Sequence, residues 1–204
     1  WGEAFAAIAA KIKATAPQRT AAIVGDLADA ESIKALKDLM TALDVVNLDC
    51  RQDGAKIGLK ADGSRAPRQS YLFNSTIAGI DDADALLLIG THPRWEAPVL
   101  NARIRKNWLR TLKVMRVGVP TDLTYDVGEL GGSPSLLRDL ASGAHDAFKI
   151  LKDAKHPMLI VGQGALARAD GAAILKFAAD IAANTGMIGP EGEGGWNGFN
   201  VLHM

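Results

Sequence analysis

Cysteine is almost absent: the chain of 204 residues holds one, Cys50. A single thiol excludes an intrachain disulfide, and it falls short of the four thiolates an iron–sulfur cluster usually takes. Net charge is absent as well, with 23 Lys and Arg set against 23 Asp and Glu. A neutral chain lacks the electrostatic footprint of a nucleic-acid or anionic-membrane binder. No apolar run approaches the roughly 20 residues of a membrane span, and nothing resembles a signal peptide. A soluble, cytosolic chain is therefore the default expectation. The four histidines are His92, His145, His156 and His203. None has another His, Cys or carboxylate at ligand spacing such as H-E-x-x-H, so metal binding is unsupported. There is no G-x-S-x-G elbow, no Walker loop, and no G-x-G-x-x-G opening a helix after the first strand.

What is present has an ordinary globular balance, 48% apolar and 23% charged, and a length that suits one substantial α/β domain, with two small lobes as the alternative. The chain is organised around Ala85–Trp108, ALLLIGTHPRWEAPVLNARIRKNW. Its unbroken apolar run through Ile89 predicts a strand buried on both faces, ended by Gly90. The turn Thr91-His92-Pro93-Arg94 follows, and then Ala97, Leu100, Ile104 and Trp108 recur at helical spacing. Strand, short turn and helix form the front half of a parallel unit. In such sheets a ligand sits beyond the carboxyl ends of the strands, which puts a candidate site at Gly90–Trp95.

Similar reasoning places a helix at Trp1–Ala16 with Phe5, Ile8, Ala9 and Ile12 on one face, closed by Pro17. Strands are expected at 20–25, 45–48, 113–119 and 158–161. Asp26 or Asp29 is positioned to cap a helix carrying Ile33, Leu36, Met40 and Leu43. Arg116 puts the fourth strand nearer an edge, with one wet face. A short helix is expected from Asn74, another behind Ser133-Pro134 that Gly143 interrupts, and a last one facing the core through Ile174, Phe177, Ala178 and Ile181. The predicted fold is α/β, a doubly wound, mainly parallel sheet of about five strands with helices on both faces. It runs from 1 to 186, with a basic loop insertion at 51–69 that could hold a small hairpin around Ile57–Leu59. Residues 187–204 form a Gly-rich, irregular tail.

Two further features have plain and functional readings. Gly25, Gly90, Gly118 and Gly162 end strands, where glycine lets a backbone approach a ligand; Gly162-Gln163-Gly164 also reads as an ordinary tight turn. Arg103, Arg105, Lys106, Arg110, Lys113 and Arg116 read as the solvated face of the central helix or as a dock for an acidic partner. Trp95 and Trp108 bracket that helix, suiting a core role or an interface anchor.

The run TIAGIDDADALLLIGTHPRWEAPVLNARIRK (76–106) resembles the large iron–sulfur subunit of respiratory complex I, in its C-terminal, molybdopterin-oxidoreductase-like region. The resemblance continues through DLTYDVGELGGSP (122–134), DGAAIL (170–175) and NVLH (200–203), and is weak before residue 70. In molybdopterin enzymes, a G-T/S-N-P turn after this strand approaches the phosphates and guanine of the cofactor. Gly90, Thr91 and Pro93 fit that turn, with Arg94 beside them, while His92 stands where the family carries asparagine. The complex I branch is thought to have lost the cofactor, which makes these five residues a vestigial site. The resemblance thus implies a non-catalytic scaffold domain in the peripheral arm of an NADH:quinone oxidoreductase, cut from a larger subunit at both ends. Iron–sulfur clusters would lie in an N-terminal part outside this sequence, with no cofactor or metal here. The implied partners are other complex I subunits and the iron–sulfur domains of the same polypeptide, without nucleic acid or membrane insertion. The implied location is the cytoplasmic side of a bacterial inner membrane or the matrix side of a mitochondrial one. The alternative is an oxidoreductase domain binding molybdopterin guanine dinucleotide or another nucleotide.

Overall fold

The computed structural model describes residues 1–25, 28–50, 54–57, 64, 66–189 and 195–202. The chain divides into two compact units, Trp1–Gln52 and Asp53–Met204.

In the first unit, helix α1 (Gly2–Lys13) precedes strand β1 (Ala22–Ile23), helix α2 (Ala30–Ala42) and strand β2 (Leu48–Asp49). The strands pair in parallel, Ala22 beside Leu48. Asp29 caps α2 by accepting the Ser32 amide N–H at 2.7 Å, which holds its carboxyl below the usual range. Asp26, the other candidate cap, lies outside the described residues. The α2 stripe buries Met40 and half-buries Leu36 and Leu43, but leaves Ile33 exposed. Helix α1 buries nothing, and the Phe5 and Ile8 of its apolar face are exposed.

The second unit holds a five-stranded sheet whose paired strands are all parallel: β3 (Ala85–Ile89), β4 (Lys113–Val117), β5 (Gly128–Gly131), β6 (Pro157–Gly162) and β7 (Phe199–Leu202). Their spatial order is β5-β4-β3-β6-β7. Central β3 pairs with β4 and β6 along its whole length, so all five of its residues are buried. That is why its sequence does not alternate. Side chains still alternate between faces. Leu87, Ile89, Met115, Leu159 and Val161 meet helices α5 (Ser135–Ala141), α6 (Ala147–Asp153), α7 (Gln163–Leu166) and α8 (Gly171–Thr185) on one face. On the other, Leu86, Leu88, Val114, Met158 and Ile160 meet α4 (Pro98–Trp108), which follows the short helix α3 (Pro93–Glu96). Asn107, buried in α4, donates from Nδ2 to the carbonyls of Ile80 and Ala83 at 2.8 and 2.7 Å, pinning the 3₁₀ turn at Ala78–Asp81. That turn stands where a helix from Asn74 was expected.

The sheet is the expected parallel α/β architecture with different members. The predicted strands at 20–25 and 45–48 shrink to two residues each and pair only with one another. Two others replace them. Gly128-Glu129-Leu130-Gly131 has little intrinsic strand preference, and a bulge between Arg116 and Val117 adjusts its register. Residues 199–202 form β7 inside the segment expected to be an irregular tail. The glycine density there serves close approach: a Cβ on Gly198 would fall 2.1 Å from the Pro157 carbonyl oxygen. Strand β4 lies nearer an edge, as expected, with only β5 outside it, but Arg116 is 1% exposed rather than wet. Glu129 on β5 takes its guanidinium in a two-point pair, Nε at 3.1 Å, while Thr121 Oγ1 accepts from Nη1 at 2.5 Å. Of the hairpin considered around Ile57–Leu59, Ile57 packs against the core, while residues 58 and 59 lie outside the described residues.

Candidate functional site

The carboxyl ends of β3, β4 and β6 converge, as a parallel sheet requires, and the candidate turn leaves β3 there. Gly90 adopts φ +54, and its N–H donates to Val117 O at 2.9 Å. Glycine takes that dihedral without the strain a side chain adds. Pro93 then opens α3 at its first turn, where a missing N–H costs nothing. Glu96 folds back over the turn: Thr91 Oγ1 donates to Oε2 at 2.9 Å, and the His92 amide donates to Oε1 at 2.5 Å. The carboxylate so caps the short helix from within it.

The remaining candidates face elsewhere. Arg94 reaches the loop after β4 and pairs with Asp122 at 2.5 Å. The Thr124 amide first, and Arg94 second, hold the Asp122 carboxyl below its ordinary range. The His92 ring stacks on Trp95, centroids 4.6 Å apart. Its Nδ1 is buried and has no hydrogen-bond partner among the described residues. Trp95 itself is exposed, whereas Trp108 is half-buried beside Tyr125. Burial pushes the Tyr125 phenol up from its usual range.

Beyond the strand ends lies a cleft of about 250 Å³ lined by Gly90, Val117, Gly118, Pro134, Leu137 and Arg168, among others. Of the five predicted residues, only Gly90 borders it. Gly118 was singled out by its place at a strand end, whereas Pro134 and Arg168 carry no motif signal as cleft residues. Protein atoms fill what the glycines leave open. A Cβ on Gly90 would meet Ala165 Cβ at 2.7 Å, and one on Gly162 would meet the Gly90 carbonyl oxygen at 2.4 Å. Arg168, the charged residue of the lining, is held at two points by Asp170, at 2.7 and 3.1 Å. Small-molecule pockets span about 300–1,000 Å³ and carry convergent polar groups. A small, mainly apolar cleft whose cation is already paired does not fit a dinucleotide cofactor.

The basic cluster dissolves in the structure. Arg103 pairs with Asp81, Arg116 is buried against Glu129, and Arg105 Nε donates to Thr124 O. Lys106, Arg110 and Lys113 remain on the exposed surface. His156 accompanies Trp196 and Asp82 O, while His145 Nδ1 accepts the Ala147 amide. His203 lies outside the described residues. Among the described residues no group of three or more His, Cys, Asp and Glu could hold a metal ion.

A family model described as molybdopterin oxidoreductase matches residues 1–204. The G subunit of the NADH-quinone oxidoreductase of Rickettsia prowazekii (strain Madrid E) is 39% identical over 204 residues, covering 100% of this chain and 29% of that protein. Its counterparts of the same name in Rickettsia conorii (strain ATCC VR-613 / Malish 7) and Rickettsia felis (strain ATCC VR-1525 / URRWXCal2) are 40% and 41% identical over the same shares. The chain thus spans 29% of the length of these curated relatives.

Proposed function

Because the chain belongs to the molybdopterin oxidoreductase family, yet leaves only a small, mainly apolar cleft beyond its strand ends, we propose that it is a non-catalytic structural domain of respiratory NADH:quinone oxidoreductase. It stands in the peripheral arm and supports electron transfer that other parts of the complex carry out. The observation that carries this reading is the small, mainly apolar cleft itself, whose charged lining residue Arg168 is already paired with Asp170. The names of the relatives, each a G subunit of an NADH-quinone oxidoreductase, support the assignment to the complex. Iron–sulfur clusters belong to polypeptide outside these 204 residues. The partners are the other subunits and the cluster-bearing domains of the same polypeptide. The domain lies on the cytoplasmic side of a bacterial inner membrane, or on the matrix side of a mitochondrial one, and is held there through the complex. No described helix is long and apolar enough to cross a membrane.

Nucleotide binding is the rival reading, favoured by one observation: the buried Nδ1 of His92, which has no partner among the described residues. Calorimetry with guanine nucleotides separates the two. Neither wild type nor His92→Asn should give measurable binding heat. A micromolar dissociation constant that disappears in Arg94→Ala would make this a live cofactor domain. In the assembled complex, His92→Asn should leave NADH:quinone turnover per complex unchanged. Loss of turnover with assembly intact would refute the non-catalytic role.

A further inference from the structure

The approach to β7 carries a chemically labile pair of residues that a scaffold role does not use. Of the seven asparagines, Asn197 alone precedes a glycine. Asparagine is among the thermolabile residues. Its side-chain carbonyl carbon is open to attack by the backbone nitrogen of the next residue, and a following glycine brings no Cβ to obstruct it. Each member of the pair has its own structural reason. Asn197 Oδ1 accepts the Phe199 amide N–H at 3.1 Å, an Asx turn that starts β7. Gly198 is buried, and a Cβ there would fall 2.8 Å from Trp196 Nε1 and 3.0 Å from Met158 Cα, so the packing calls for glycine.

The fold restrains this reaction. The attacking nitrogen must first give up its proton, and the buried Gly198 N–H donates to Met187 O at 2.7 Å. The Gly198 carbonyl accepts from the Leu159 amide at 2.8 Å and from Asn200 Nδ2 at 3.1 Å. Asn197 bridges Ile188 antiparallel, and the Gly189 amide donates to Trp196 O at 2.8 Å. Gly198 is thus clamped between two segments, and solvent base reaches its nitrogen when β7 lifts. We infer that Asn197-Gly198 is a self-modification site gated by the seating of β7. With the strand lifted, Gly198 N loses its proton to hydroxide and bonds to Asn197 Cγ. The Cγ–Nδ2 bond breaks and ammonia leaves. Water then opens the cyclic imide at either carbonyl, giving aspartate at one and an isoaspartyl link at the other. No oxidant, reductant or cofactor takes part. Aspartate keeps an oxygen for the Phe199 amide. An isoaspartyl link adds a methylene to the backbone just before Phe199 meets Leu159, which displaces β7 from its register. A strand that reacts this way while lifted cannot seat again. None of this depends on whether the strand-end cleft binds a nucleotide.

Mass spectrometry of the 204-residue chain held in mildly alkaline buffer reads the conversion of Asn197, and hydrogen exchange of the Gly198 amide reads the lifting of β7. Conversion in the native chain should be slower by about ten-fold or more than in the same chain unfolded by urea. Trp196→Phe removes the 2.7 Å bond from Nε1 to Pro157 O, and should speed conversion and Gly198 exchange by the same factor. Should that variant fail to fold, or fail to loosen the strand, wild type in sub-denaturing urea makes the same comparison. Once urea is diluted away, chains carrying aspartate at 197 should regain amide protection at 199–202, and isoaspartyl chains should not. Equal conversion in the folded and unfolded chain would overturn the inference. So would conversion that rises while Gly198 exchange stays constant, or full protection in isoaspartyl chains. Conversion as fast at Asn74 or Asn200 as at Asn197 would equally count against it, since neither precedes a glycine.

Discussion

Gly162→Ala and Gly164→Ala change two glycines of one G-Q-G motif, and the structure predicts opposite outcomes. Gly162 sits at φ −78, ψ 146, a conformation any residue adopts, so its variant is tested on space alone. The new Cβ would lie 2.4 Å from Gly90 O, 2.8 Å from Thr91 Cβ and 2.9 Å from Thr91 Cα. Close carbon–oxygen contacts stand at about 3.3–3.6 Å, so the ends of β3 and β6 must part by roughly 1 Å. Those strands are hydrogen-bonded neighbours at the centre of the sheet, and two of the three opposing atoms belong to backbone. Overpacking costs about 1–3 kcal/mol, and an immovable neighbour puts this site at the upper end, about 3 kcal/mol. At roughly 2–4 °C per kcal/mol, the melting temperature should fall by about 6–12 °C. A Cβ on Gly164 meets nothing within 4 Å. In helix α7, alanine there should be neutral or stabilising by up to about 1 kcal/mol. Urea unfolding followed by circular dichroism reads both. Equal losses from the two variants, or a Gly162→Ala change under about 0.5 kcal/mol, would refute the claim that Gly162 packs directly on the end of β3.

Three further outcomes can be measured in the same way. Asn107→Leu should lose about 2–4 kcal/mol, because the Ile80 and Ala83 carbonyls would be left without the buried amide that satisfies them. Glu129→Leu should lose about 2–4 kcal/mol by leaving Arg116 charged in a site where its side chain is 2% exposed, and adding Arg116→Met should restore at least half of that loss. Tyr125 has its phenol raised by burial, so the folded state favours the neutral form; the stability it contributes is complete below pH 10 and fades as pH rises beyond it. Tyr125→Phe, which also forfeits the 2.8 Å hydrogen bond to Asn101 worth about 1 kcal/mol, should flatten that alkaline decline in unfolding curves recorded from about pH 8 to 11.

Legibility in the sequence followed burial. Ala85–Ile89 is buried by strands on both sides and helices on both faces, so each position demands an apolar residue and the run declares itself. Helix α8 announces itself through Ile174, Ala178 and Ile181 and stops at Gly186, whose φ of +78 is the usual left-handed end of a helix. Gly128–Gly131 could not be found that way, since its pairing depends on Arg116 and Glu129, side chains that look solvated until they meet. Asn200 misled in the same manner, a polar residue between Phe199 and Val201 that proves fully buried. At the crevice, the turn at Gly90–Arg94 was readable because dihedral demands are local. The packing behind it was not, because Ala165 arrives from a part of the chain that no local pattern links to Gly90.

Asn200 also fixes when the sheet can be completed during synthesis. Its Oδ1 accepts from the Ser75 amide at 2.9 Å, and its Nδ2 donates to Leu159 O and Gly198 O. Asn74 meanwhile donates to Phe199 O at 2.6 Å, across 125 residues of chain. At about 5–20 residues per second, a ribosome takes roughly 6–25 s to add that interval. Throughout it, Leu72 and Phe73 wait without the strand that covers them, and the outer edge of β6 joins them once residues 157–162 have been made. Residues 72–75 and that bare edge are therefore the last parts of the sheet to be covered, and the emergence of β7 completes it.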